Sequence, residues 1–247
     1  ARRTTGYFIP SLATFAIIYA LFGQYFMGIF GHAGFSVERL LYRLFMTSEG
    51  IFGITLSTAS TAIVVFILFG SFLSVSGATA LFNDLALAMA GRRRGGPAQV
   101  AVISSALTGS LSGSAVANVA TTGTFTIPLM KNIGLTSRFA GAVEATASTG
   151  GMIMPPIMGA AAFIMAGFLG ISYTTIVIAA IIPALLYYAA LIMAIDIEAK
   201  KQGLKGLSKE NIPQVKAVLK ARGLLLLPLI IVIGTLLMGK TPDRKST

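Results

Sequence analysis

The residues with chemistry to offer sit in two uncharged stretches. The first is Thr108-Gly109-Ser110-Leu111-Ser112-Gly113-Ser114-Ala115-Val116-Ala117-Asn118, and the second is Thr149-Gly150-Gly151-Met152-Ile153-Met154-Pro155-Pro156. Gly, Ser and Asn favour turns and caps over helix interiors, and two adjacent prolines cannot both sit in a regular helix. Both stretches lie inside long apolar runs. Backbone that leaves helical geometry at membrane depth frees N–H and C=O groups, each costing several kcal/mol if left in lipid, so such backbone lines a protein-buried or watered cavity. Freed carbonyls and hydroxyls are hard oxygen ligands suited to Na⁺, and half-helix amino ends point partial positive charge at an anion. Ser112, Ser114 and Asn118 offer side-chain oxygens in the first stretch; Thr149, Gly150 and Gly151 offer freed backbone in the second. Together they read as the ion and substrate site of a secondary transporter. The competing reading is that these small residues only permit close helix packing. Two separate breaks, each with polar content, favour the site.

One acid lies near these stretches. Glu144 falls inside an apolar run, where an ionisable residue is a functional candidate by default. It reads either as a coupling acid or as a structural partner for a nearby hydroxyl or basic group. Arg138 reads as a snorkelling boundary residue and Asp84 as an interfacial polar one. His32 reads as a surface loop residue without a partner. Tyr173, Tyr187 and Tyr188 read as packing or interface residues and carry no site.

Other chemistry is excluded. There is no Cys and a single His, which removes thiol nucleophiles, thiolate metal sites and His-rich metal centres. No G-x-S-x-G serine elbow occurs. Residues 234–241 match the phosphate-loop pattern letter for letter, but an apolar span precedes them and Pro242 follows, where a strand and a helix are required. The chain does not read as an enzyme.

The elements that must position these residues follow from composition. Of 247 residues, 55% are hydrophobic and 11% charged, against about 25% charged in a soluble domain. The class is an all-α polytopic membrane protein. The net charge of +11 would suggest nucleic acid in a soluble protein; here the basic residues flank apolar runs, as cytoplasmic loops do, and no nucleic-acid partner is expected. Residues 6–30 and 51–75 read as spans, with an interfacial helix within 31–50 and a short one over 78–90. The Gly-Arg-Arg-Arg-Gly-Gly-Pro loop at 91–97 precedes apolar arms at 99–107 and 119–130. Each arm reaches about 15–20 Å, half a membrane. Basic residues at both ends make 97–131 a re-entrant helical hairpin. A broken helix follows, 139–148 and 157–169 around an unwound centre. A span over 173–195, a basic loop over 196–222 and a short span over 223–239 complete the chain.

With 91–97 in the cytoplasm, 14 of the 19 Lys and Arg residues fall on that side and five opposite. This agrees with the positive-inside rule. The topology is five crossings plus one hairpin, with the amino end inside. By organisation, 1–90 reads as scaffold-like spans, 91–170 as half of a transport domain, and 171–247 as further spans in a chain that stops short of a second half.

The chain resembles the large membrane subunit of tripartite ATP-independent periplasmic (TRAP) transporters, most closely the fused-permease branch that works with TAXI-type binding proteins. The residues that carry the resemblance are 91–97, the run Ser-Gly-Ser-Ala-Val-Ala-Asn-Val-Ala-Thr-Thr-Gly-Thr-Phe-Thr-Ile-Pro-Leu-Met-Lys at 112–131, Phe-Ala-Gly-Ala-Val-Glu-Ala-Thr-Ala-Ser-Thr-Gly-Gly at 139–151, and Ile-Met-Pro-Pro-Ile-Met-Gly-Ala at 153–160. The resemblance implies a Na⁺-driven importer of the elevator type in a bacterial or archaeal cytoplasmic membrane. It implies a periplasmic binding protein that delivers an organic acid, and partner segments in the form of a second inverted repeat and small-subunit helices. It places Ser112, Gly113, Ser114 and Asn118 at the first hairpin tip, with Thr149, Gly150, Gly151 and Pro155 facing it, and one Na⁺ near Ser112, Ser114, Asn118 and Gly150. No organic cofactor is implied. Only one hairpin is present, so these 247 residues alone are not expected to support uptake. Two other readings stay open: a Na⁺- or H⁺-coupled carrier that needs no binding protein, and a non-transporting membrane assembly subunit.

Overall fold

The computed structural model of the chain describes residues 6–208, Glu210 and residues 212–238. These residues are helical with connecting turns and no strand. Four helical segments are long and apolar enough to cross a membrane: Phe8–Tyr25, Ile54–Val75, Tyr173–Lys201 and Val215–Thr235. The chain divides into two compact units, Ala1–Ser57 and Thr58–Thr247.

In the first unit, α1 (Phe8–Phe22) runs into single 3₁₀ turns at Gly23–Tyr25 and Gly28–Phe30. Helix α2 (Val37–Met46) starts at Ser36, whose side chain accepts from Arg39 N at 3.3 Å. It is amphipathic, with Glu38 in its first turn and Arg43 in its last, as the interfacial reading requires. His32 differs from expectation. Its Nδ1 accepts from Gly34 N at 3.0 Å, so its Nε2 donates to Tyr19 O at 3.1 Å, and its ring lies 4.8 Å from that of Tyr19. It ties a loop back to α1 rather than standing free.

Helix α3 (Ile54–Val75) contains one π turn at Ala59–Ile63. The second unit then builds inward. Helix α4 (Ala78–Ala90) begins after Gly77, whose φ of +98° suits glycine. Helix α5 (Gly96–Ser112) carries Pro97 in its first turn and ends at Gly113, at φ +59°. Helix α6 (Ala115–Asn132) starts at Ser114, whose hydroxyl accepts from Ala117 N at 3.3 Å. Helix α7 (Ser137–Gly150) is capped by Thr136. Turns over 151–159 lead to α8 (Ala160–Leu169) and then to α9 (Tyr173–Lys201), which Ser172 caps. Such caps each contribute about 1 kcal/mol. Helices α10 (Val215–Arg222) and α11 (Leu227–Leu237) join through a 3₁₀ turn at Gly223–Leu226.

The hairpin is α5 and α6, and the broken helix is α7 and α8. The hairpin break is narrower than the sequence suggests: only Gly113 and Ser114 leave helical geometry, where all of 108–118 was expected to. Low propensity in that stretch, a few tenths of a kcal/mol per residue, is overridden by packing on both sides. Helix α9 extends past residue 195 to Lys201, and the last span begins at Val215 rather than 223. Lys200, Lys201, Lys216, Lys220 and Arg222 therefore stand on helix ends rather than in a loop. Of the phosphate-loop look-alike, residues 234–237 lie in α11, and its end lies outside the described residues.

Small residues set the centre. Ala98, Ala101, Ala140 and Ala147 are fully buried together with Met130, Tyr188 and Ile195. Alanine at these positions lets the backbones of α5, α6, α7 and α9 approach closely.

Candidate functional site

The hairpin tip and the turn between α7 and α8 meet. Ile157 N donates to Ser110 O at 3.2 Å. A Cβ added to Gly113 would sit 2.1 Å from Met158 O, so only glycine admits that backbone, and the left-handed φ of +59° demands the same residue. Met158 is itself left-handed, at φ +59°. Tyr173 reaches across from α9, its hydroxyl donating to the carbonyls of Pro156 and Ile157.

A second contact lies deeper. Gly109 and Gly151 approach so closely that a Cβ on either would lie 2.6 Å from the Cα of the other. Asn118 closes this crossing. Its Nδ2 donates to Ser105 O at 2.8 Å, and a Cβ on Gly109 would lie 2.7 Å from that Nδ2. A carbonyl only accepts, so this bond fixes which end of the amide faces Ser105. The other end, Asn118 Oδ1, is buried and has no hydrogen-bond partner. Thr108 Oγ1 is likewise buried and unpartnered. Leaving a buried polar atom unpaired costs about 1–3 kcal/mol, so two such oxygens beside one tip require an explanation.

Thr108, Ser112, Gly113, Ser114 and Thr121 line a cavity of about 600 Å³. Phe66, Gly70, Phe82, Met158 and Phe163 form its apolar wall, and no charged side chain lines it. A carboxylate entering it would be met by N–H and hydroxyl groups. The oxygen donors available are neutral and hard, the type that suits Na⁺. Among the described residues no three His, Cys, Asp or Glu side chains come together as a metal cluster.

The expected residues do not all converge. Ser112, Gly113 and Ser114 form the tip, with Ser114 N within 3.5 Å of Ser112 Oγ. Asn118 and Gly151 meet at the crossing. Gly150 faces elsewhere: a Cβ there would lie 2.5 Å from the Tyr187 ring and 2.9 Å from that of Tyr188. The hydroxyls of these tyrosines donate to Thr146 O and Ala147 O, at 2.8 and 3.0 Å. Thr149 is exposed, and its hydroxyl bonds its own helix at Ala145 O. Pro155 lies half-buried in the turn.

Glu144 is fully buried and accepts four hydroxyls. Thr122 and Thr126 donate at 2.5 Å, Ser105 at 3.1 Å and Ser148 at 3.2 Å. The sequence reading missed all four partners. For three of them a signal was present: Asn118, Thr122 and Thr126 recur every four residues along one face of α6, and Glu144 and Ser148 repeat the spacing on α7. Asp84, expected as an interfacial polar residue, pairs with Arg222 at 3.2 Å.

Comparison with known proteins points one way. Residues 1–247 match the DctM component of the tripartite ATP-independent periplasmic transporters. A C4-dicarboxylate TRAP transporter large permease protein of Pseudomonas aeruginosa is 31% identical over 207 residues, 83% of this chain and 46% of that protein. Its namesake in Vibrio cholerae is 33% identical over 183 residues, 72% of this chain and 39% of that one. The 2,3-diketo-L-gulonate TRAP transporter large permease protein of Escherichia coli is 29% identical over 176 residues, 70% and 40% of the two chains. This chain thus spans less than half the length of each.

Proposed function

The chain belongs to the DctM component family of tripartite ATP-independent periplasmic transporters, a family of permeases and not of enzymes, and from that premise we propose that it forms the first half of a Na⁺-coupled importer of organic acids. In this reading a periplasmic binding protein hands the substrate to the permease in the cytoplasmic membrane, with the amino end inside. A second repeat and small-subunit helices complete the machine. The relatives named for C4-dicarboxylates and 2,3-diketo-L-gulonate support an organic acid as the substrate class. The hairpin and the broken helix move together as one side of an elevator.

The observation that carries the reading is Asn118 Oδ1, buried and unpartnered at the point where the hairpin and the broken helix cross. A coupling Na⁺ gives that oxygen its partner, with Ser112, Ser114 and Thr108 hydroxyls as further neutral ligands from the same tip. Substrate occupies the neighbouring cavity, where N–H groups and hydroxyls receive its carboxylate. Thr149, Gly150 and Pro155 support the turn rather than the ion, since Gly150 packs on tyrosine rings and the Thr149 hydroxyl bonds its own helix.

The test is uptake of radiolabelled organic acids into proteoliposomes by the complete permease, with and without its binding protein and an inward Na⁺ gradient. Uptake should require both, and Asn118→Ala should abolish it at normal membrane levels. Uptake that needs neither would break the reading.

A further inference from the structure

A Na⁺ held only by Asn118, Ser112, Ser114 and Thr108 would sit among neutral ligands. Bringing a cation there costs desolvation that neutral dipoles offset only in part. The sole buried acid among the described residues is Glu144. It touches none of these ligands by hydrogen bond, yet it shares two neighbours with Asn118. Ser105 accepts Asn118 Nδ2 at its carbonyl, and its hydroxyl donates to Glu144 Oε1. Thr122 Oγ1 stands 2.8 Å from Asn118 O and 2.5 Å from the same Oε1. Glu144 therefore holds Ser105, whose carbonyl fixes the Asn118 amide, and, on the other arm of the hairpin, Thr122, whose hydroxyl lies beside the Asn118 backbone carbonyl.

Four hydroxyls surround the carboxyl group of Glu144. Each of the four hydroxyls has one proton, and a carboxylate only accepts, so all four can point at it. Neither ion pair found among the described residues involves Glu144, so no Lys or Arg there is salt-bridged to its carboxyl group. A buried carboxyl group with no cation beside it stands one residue away from a buried oxygen without a partner.

We infer that Glu144 is the positioning residue of the Na⁺ site: through Ser105, whose carbonyl holds the Asn118 amide, it sets where Asn118 Oδ1 points, and its carboxylate supplies the charge that the neutral ligands lack. This rests on the Na⁺ reading above. It differs from a coupling acid that carries protons and from a bond that merely staples helices. Residues that orient a metal ligand from behind typically change affinity by about 10- to 100-fold when altered.

Na⁺-dependent thermal stabilisation tests the inference without knowledge of the substrate. The complete permease is purified in detergent and melted over a NaCl series, with choline chloride holding ionic strength constant. Wild type should show a saturable, Na⁺-specific rise. Glu144→Gln keeps the shape and removes the charge; its Na⁺ midpoint should rise at least about tenfold. A midpoint unchanged in Glu144→Gln, whatever its melting temperature in choline, overturns the inference and leaves Glu144 as a staple. Should that variant fail to fold, Ser105→Ala decides: it keeps the carboxyl group and the carbonyl that holds Asn118 but removes the hydroxyl that links the two. Its midpoint should rise by less than tenfold, and no rise overturns the inference. If wild type itself shows no Na⁺-specific stabilisation, the Na⁺ reading falls, and this inference with it.

Discussion

The amino-terminal unit and the hairpin core are both helical and both rich in apolar residues, yet they are built on opposite plans. Helix α1 buries none of its residues; Phe8, Phe15 and Phe22 are exposed. Helix α5 buries 14 of its 17 residues, among them Gln99, Ser104, Ser105, Thr108 and Ser110. The lipid-type helix is the more hydrophobic one, and the protein-buried helix is the more polar one. In water the reverse would hold. In a bilayer, tails are as apolar as leucine, so hydrophobicity alone does not drive helices together; small residues and hydrogen bonds do. The polar content of α5 to α7 therefore marks a part that packs internally, and the uniform apolarity of α1 is that of a lipid-type helix.

The largest expected effect tests that contrast with one side-chain type. Phe82 on α4 is 2% exposed, and Phe15 on α1 is 60% exposed. Phe82→Ala should lower the stability of the purified permease by about 3–5 kcal/mol, the usual cost of emptying a packed aromatic site. Phe15→Ala should change it by less than about 0.5 kcal/mol. Denaturation in mixed detergent micelles, followed by circular dichroism, measures both. Equal losses would break the comparison, because they would mean that α1 is packed as tightly as the core.

A second test stays inside one helix and sharpens the argument about small residues. Gly141 and the Gly150-Gly151 pair bracket most of α7. A Cβ on Gly151 would lie 2.6 Å from the Cα of Gly109, backbone against backbone, where nothing can swing aside; a Cβ on Gly141 would meet nothing within 4 Å. Gly151→Ala should cost about 1–3 kcal/mol by overpacking and should weaken Na⁺ stabilisation, since it pushes the crossing beside Asn118 apart. Gly141→Ala should be neutral or gain up to about 1 kcal/mol of helix propensity. The same detergent titration, paired with the NaCl melting series, separates the two. A neutral Gly151→Ala would reduce the crossing to loose packing.

These contrasts also show what was legible beforehand. The hairpin, the broken helix and the four long spans could be read from charge-free runs and from breaks in them, because Arg92–Arg94, Gly113 and the Pro155-Pro156 pair act locally. Cap positions such as Ser114, Thr136 and Ser172 are local as well. The width of the hairpin break was not legible, because tertiary contact holds residues 108–112 and 115–118 helical against their propensity. The division of labour at the turn was not legible either. Gly150 and Gly151 are neighbours in sequence, but successive helical residues point about 100° apart, so one meets tyrosine rings and the other meets Gly109. Three of the four hydroxyls on Glu144, those of Thr122, Thr126 and Ser148, could have been found from a four-residue spacing; Ser105 on α5 could not. What spacing could not supply was the meeting of three different helices at one carboxylate.

The smallest expected effect concerns the pair Asp84 and Arg222, which joins α4 to the end of α10 at 3.2 Å. It is the charged counterpart of the Glu144 cluster, and it differs in one physical respect: its side chains are 40% and 48% exposed. Solvent screens such a pair, and its contribution lies at about 0–1 kcal/mol. Asp84→Asn should therefore shift denaturation by less than about 1 kcal/mol in dilute buffer, and by less again in 1 M salt, where the Debye length is about 3 Å. The Na⁺ midpoint should not move, because neither residue touches Ser105, Thr122 or Asn118. A loss well above that range, or one that salt does not reduce, would mean that this end of the protein is as dry as the hairpin core. The exposure contrast between the two acids would then no longer explain why one is a surface link and the other lies in a buried hydroxyl cluster.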